Sequence, residues 1–194
     1  MLSPTQPTQD SPTILLTPDD RYGPLNSEWY GQGPSKLVEA PYIARIGGKY
    51  ALIYSTGGYL TVGYKAGVAW SDTLMPAPGT RYRKVLETDV QGVWGQPGGY
   101  EVHYLLQSQI AGWPNFTAGQ VISPGVASAV QGPGGAWWLY FAGFDPAPSD
   151  RPPAVGGDHR RPYFVGLQAS VPPGQAVATA SDAELATWLQ PDAQ

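Results

Sequence analysis

The feature that most constrains this chain is a segment that occurs twice. Tyr50-Ala51-Leu52-Ile53-Tyr54 and Trp137-Trp138-Leu139-Tyr140-Phe141 are aromatic and branched runs of equal length at positions 50 and 137, an offset of 87. Each follows a glycine-rich turn, Gly47-Gly48-Lys49 in the first copy and Gly132-Pro133-Gly134-Gly135 in the second. Rings and branched side chains at that density favour strands, and paired glycines favour tight turns, so each copy predicts a β-hairpin. A hairpin repeated at this spacing predicts an architecture assembled from similar β units.

The first unit reads as strands at 42 to 46, 49 to 55, 61 to 70 and 82 to 86, with Gly57-Gly58 and Pro76-Ala77-Pro78-Gly79 as turns. Four strands in about fifty residues fit one propeller blade. A second unit begins near Pro124, with strands at 127 to 131 and 136 to 144, a Pro- and Gly-rich loop at 145 to 158, and a returning strand at 162 to 167. Between the units only 102 to 106 and 121 to 122 are strand-like. Ahead of them, 13 to 17 is a short strand stopped by Pro18-Asp19-Asp20. Ser181-Asp182-Ala183-Glu184 has the form of a capping box, which predicts a short helix over 182 to 189. The expected organisation is a disordered lead-in at 1–12, one all-β domain at 13–180, and a helix with tail at 181–194.

Composition excludes several classes. With 13% charged residues, a net charge of -4 and no basic run beyond Arg81-Tyr82-Arg83-Lys84, the chain lacks a nucleic-acid footprint. It has no cysteine, so disulfides, zinc-thiolate sites and thiol nucleophiles are ruled out. No apolar run is long enough for a spanning helix, and Met1-Leu2-Ser3-Pro4 does not open a signal peptide, which leaves the compartment undetermined.

Glu39-Ala40-Pro41-Tyr42-Ile43, followed by Gly48-Lys49-Tyr50-Ala51-Leu52-Ile53-Tyr54-Ser55, resembles the general-acid segment of glycoside hydrolase family 43. The run from 64 to 71 resembles the third strand of that blade. Ser123-Pro124-Gly125-Val126-Ala127-Ser128 with 136 to 141 resembles the start of the next. The resemblance spans 13 to 167 and matches the later part of the family's five-bladed fold. It therefore implies an all-β, partial β-propeller of antiparallel four-stranded blades that acts on xylose- or arabinose-containing glycans with inversion.

Inverting hydrolysis uses one carboxylic acid to protonate the leaving oxygen and a second carboxylate to activate water. By resemblance Glu39 is the proton donor; read from spacing alone, it is an acid ahead of a strand. The base is not identifiable, because Asp10, Asp19 and Asp20 do not fall where the family places its aspartates. Arg161 resembles an arginine that reaches sugar hydroxyls, with a surface arginine as the alternative. Tyr42, Trp94, His103 and Trp113 are candidates to line the sugar site, since flat rings stack on sugar faces; the alternative is that they fill core. The resemblance would allow a central calcium ion, but Val126 stands where the family commonly has a histidine. His103 and His159 have no partner at metal-ligand spacing, so no metal residue is assigned. The expected partners are a plant cell-wall oligosaccharide and further copies of this chain, a dimer being simplest. A non-catalytic, carbohydrate-binding or purely structural propeller piece is the alternative.

Overall fold

The turn of the first repeat sets its register. Gly47 and Gly48 have φ of 57° and 83°, the paired left-handed conformation of a two-residue hairpin turn, so Ile46 lies opposite Lys49. They join β1 (Val38–Ile46) and β2 (Lys49–Thr56). A Cβ on Gly47 would also lie 2.5 Å from that of Val171, so the turn is packed as well as bent.

The computed structural model describes residues 13–18, 37–58, 63–88, 100–108, 121–144 and 160–192. Two antiparallel sheets account for most of them. In the first, β1 and β2 continue through β3 (Lys65–Ser71), whose outer edge is shared by two short strands, β4 (Arg83–Lys84) and, after the hairpin of β5 (Leu86–Thr88) and β6 (Tyr100–Val102), β7 (Tyr104–Leu106). In the second, β8 (Ile122–Gln131), β9 (Trp137–Phe144) and β10 (Arg160–Ala169) run in order outward to β11 (Leu189–Pro191), which follows the helix α1 (Asp182–Thr187). The fold is an all-β partial propeller: two four-strand-wide blades stacked face to face, with one short helix.

Alternation within the strands assigns each blade face. Ala51 and Ile53 of β2 and Val68 and Trp70 of β3 meet Leu139, Phe141, Val165 and Leu167 of the second sheet in one core. The innermost strand β8 crosses close to β1, β2 and β3, and Ala44, Ala66, Ala127 and Ala129 are among the residues buried on these strands. The large rings of Trp70 and Trp188 meet edge to face at 5.3 Å in the same core. The opposite face of the first sheet carries Leu52, Tyr54, Ala69 and Tyr82, against which Leu15 and Leu16 pack.

The C-terminal segment belongs to both blades. Ser181 and Glu184 form the complete capping box, with Glu184 accepting from the Ser181 N–H at 2.7 Å and Ser181 Oγ accepting from the Glu184 N–H at 3.2 Å. Arg83 of β4 donates to the carbonyls of Val177 and Ala180 and to Asp182. β11 meanwhile pairs with β10, so the segment staples the outer rims together.

Several expectations for the elements change: β1 begins at Val38 and not at 42, so Glu39 lies within the strand and not ahead of it. Residues 13 to 17 form no strand; they follow the sheet irregularly, with the Leu15 carbonyl accepting from Tyr82 N–H at 3.0 Å. The strand expected at 82 to 86 breaks at Val85, whose carbonyl receives the His103 N–H from a different partner segment. The helix stops at Thr187 and the chain returns as β11, because Trp188 and Leu189 bury fully between the rims. The expected lead-in at 1–12 lies outside the described residues.

Replacing Trp188 by Ala should cost about 3 to 5 kcal/mol, the range for deleting a large buried ring, and should loosen α1 and β11 together. Urea unfolding followed by tryptophan fluorescence measures it. A loss below about 1 kcal/mol would mean that the rims are held without this ring pair.

Candidate active site

Glu39 owes its position to a bulge. Glu39 pairs with Ser55 and Tyr42 with Ile53, so β1 carries one extra residue between them. Ala40 takes φ of 48°, a left-handed conformation that a non-glycine residue rarely adopts, and Pro41 brings no N–H that would need a ladder partner. The extra residue turns both Glu39 and Tyr42 toward the same side of β1. Glu39 is half-buried and Tyr42 exposed, and both line a cavity of ≈ 520 Å³ whose wall is otherwise apolar, with Leu15, Leu16, Val38, Ile43, Leu52 and Tyr54.

The Glu39 carboxylate is held by Tyr64, whose hydroxyl donates to Oε1 at 2.8 Å. Tyr64 is buried against the second blade. A Cβ at Gly125 would lie 2.1 Å from its ring, so only glycine leaves room for the tyrosine there. The Arg160 guanidinium lies 5.0 Å from the centre of the Tyr64 ring. Burial pushes the Tyr64 hydroxyl above the ordinary phenol range, and the hydrogen bond and charge of Glu39 push it the same way, against the neighbouring Ser55 hydroxyl and the charge of Arg160.

The second blade contributes its own strained segment. Ser123 and Val126 have φ of 52° and 55°, and β8 shifts register on both sides of Gly125. Left-handed φ at a β-branched residue costs on the order of 1 to 3 kcal/mol. Here it turns the Val126 N–H onto Ser55 Oγ at 2.7 Å, the bond that ties the two blades beside Glu39. The Val126 side chain points outward and offers no ligand atom. Among the described residues no group of three or more His, Cys, Asp or Glu converges.

Of the residues singled out from sequence, the structure brings Glu39 and Tyr42 together. Arg161 is exposed on β10, and Arg160 is the cation that reaches Tyr64. His103 does not join them. It sits half-buried just ahead of β7 on the outer edge of the sheet, with β2 and β3 between it and β1. Trp94 and Trp113 lie outside the described residues. Sequence reading missed Ser55, Tyr64 and Arg160 as site residues. The available signal was parity: residues 51, 53 and 55 share a face, and a serine at the third position is a polar group on a buried stripe.

Neither a protein-family model nor a curated protein matches this chain. Among solved structures it is similar to an endo-1,4-beta-xylanase from Bacteroides thetaiotaomicron, at 21% identity over 82% of this chain and 38% of that one, with a TM-score of 0.49. It is similar also to a thermostable family-43 glycoside hydrolase, at 18% identity over 81% and 36% with a TM-score of 0.45. A third is an exo-1,5-alpha-L-arabinanase from a bovine ruminal metagenomic library, at 20% identity over 84% and 41% with a TM-score of 0.46. The chain spans well under half the length of each.

Because folding raises the affinity of Tyr64 for its proton, its contribution to stability is complete below the ordinary phenol value of 10.0 and is lost as pH rises through the higher folded value. Tyr82, also raised by burial, acts in the same direction. Urea titrations from neutral pH to above 11 should show stability declining at the alkaline end, less steeply in Tyr64→Phe. Identical slopes in the two proteins would contradict the assignment.

Proposed function

We propose that this chain carries the proton-donor half of an inverting glycosidase site of the family 43 type, with Glu39 as general acid. The observation that carries the reading is Glu39 itself. A bulge on a rigid strand presents one carboxyl group, anchored through a single oxygen, to a cavity of sugar size with an aromatic ring at its rim. In the reaction Glu39 gives its proton to the glycosidic oxygen as the bond to the anomeric carbon breaks and the electron pair leaves with that oxygen. Water attacks the opposite face and loses its proton to a second carboxylate. Tyr42, and the exposed Arg161, are the proposed contacts to the sugar ring and hydroxyls, and xylose- or arabinose-containing glycans are the proposed substrate class.

The second carboxylate is not among the acids whose side chains are described. Asp72 is paired with Lys49, Asp182 with Arg83, Glu184 caps α1, and Asp192 lies against Gly166 just after the outermost strand β11. The base is therefore assigned to residues outside the described ones or to another chain. This same observation favours a second reading, a propeller piece that binds carbohydrate without turnover.

The downstream face of the second blade supports association. Val130, Trp138, Tyr140 and Phe164 are 43%, 36%, 47% and 63% exposed, and Phe164 touches both neighbouring rings. An aromatic sheet face of this kind is a contact surface. We infer a homo-oligomer in which another copy covers it, a dimer being the smallest form.

Release of arabinose or xylose from aryl glycosides should be detectable and should fall roughly 10²- to 10⁴-fold in Glu39→Gln, the scale of a lost general acid. Unchanged release in the variant would overturn the assignment, and calorimetric sugar binding without any turnover would establish the second reading. For association, sedimentation at micromolar concentration should give a mass at or above twice 20.7 kDa. A stable species at the single-chain mass would refute it.

A further inference from the structure

We propose that Tyr64 is a positioning residue for Glu39: its buried hydroxyl, on a ring seated against Gly125 of the second blade, decides which carboxyl oxygen carries the transferable proton. The proposal rests on the reading of Glu39 as proton donor and adds to it the device that aims the proton.

A Glu39 carboxylate can only accept, and it accepts from Tyr64 at 2.8 Å. Tyr64 is itself buried and its ring is pinned against Gly125, so its hydroxyl is held at Oε1. The adjoining buried Ser55 is fixed separately: its Oγ accepts from the Val126 backbone N–H at 2.7 Å, at the strained φ of Val126.

The chemical consequence concerns Glu39. Oε1 receives the Tyr64 hydrogen in either protonation state, so the acid proton resides on Oε2, the oxygen free to face substrate. When that proton passes to the glycosidic oxygen, the charge left on the carboxylate is met by a hydrogen bond already in place. Gly125 is part of the same device, since any side chain there would displace the Tyr64 ring. The charged groups acting on the Tyr64 hydroxyl are Glu39 and Arg160.

The test compares Tyr64→Phe and Ser55→Ala with the parent chain on phenyl and 2,4-dinitrophenyl glycosides of the same sugar. A phenyl group needs protonation to leave, whereas dinitrophenolate leaves unaided. A misaimed acid therefore lowers the ratio of kcat for phenyl to kcat for dinitrophenyl, by roughly 10- to 100-fold in Tyr64→Phe. KM stays close to the parent value, and Ser55→Ala shows a smaller shift in the same direction. Equal loss on both substrates is what a merely structural role gives and would overturn the proposal. The Tyr64–Glu39 hydrogen bond is checked without turnover by following the Tyr64 ring carbon Cζ by NMR against pH. In Glu39→Gln the Tyr64 titration should move down, because the accepting carboxylate and its charge are gone; no movement would overturn the proposal. If Glu39→Gln instead retains full activity, the proton-donor reading fails while a downward shift still upholds the Tyr64 contact itself.

Discussion

Everything near Glu39 depends on how closely two twisted sheets approach along their innermost strands. β8 lies against β1, β2 and β3 with Ala44, Ala66, Ala127 and Ala129 among the residues buried on these strands, whereas the Trp70 and Trp188 rings fill the space nearer the rim. Small side chains inside and large rings outside suit twisted sheets fanned around an axis. At the inner end backbone meets side chain directly: Val126 N–H on Ser55, Gly125 against the ring of Tyr64. The polar cluster is the consequence of close approach, and it is also the place where a carboxyl group can be held by a buried donor and still reach a cavity.

Strain is concentrated at the same place. The non-glycine residues with positive φ among the described residues are Ala40, Ser123 and Val126, and they flank the Glu39–Tyr64–Ser55 group on both blades. Ala40 turns the Glu39 carboxyl and the Tyr42 ring to one side; Val126 supplies the donor that holds Ser55. A strand pair with regular pleat would place neither. The packing that pays for this strain is remote, in the fully buried Leu139, Leu185 and Leu189 and in the Arg83 clamp on the C-terminal segment.

Much of the architecture was legible because repetition carries face as well as strand. The offset of 87 places Leu52 on Leu139 and Tyr54 on Phe141, and in both blades these residues face the preceding element. The same offset places Ala51 and Ile53, which meet the second blade, on Trp138 and Tyr140, which are exposed. The two open faces are thus different in kind, and a contact that repeats the internal one joins a downstream face to an upstream face. The fourth strand of the second blade was hidden because Leu189-Gln190-Pro191 is too short to signal a strand and follows a well-capped helix. The site was half legible. Glu39 stood out by resemblance, whereas Tyr64, Ser55 and Arg160 gain their meaning from contacts across strands that no local spacing encodes. Arg160 in particular is singled out from Arg161 by its contact with the Tyr64 ring.

The central claim is that the blade-to-blade tie at Val126 holds the Glu39 group in place, and native-state hydrogen exchange of the Val126 amide tests it most directly. The account predicts that this amide, although it sits in a bulged and strained segment with an outward side chain, exchanges as slowly as the core amides of β2 and β9, and that Ser55→Ala speeds it selectively. Exchange at the rate of an open loop in the parent chain, or no response to Ser55→Ala, would contradict the account.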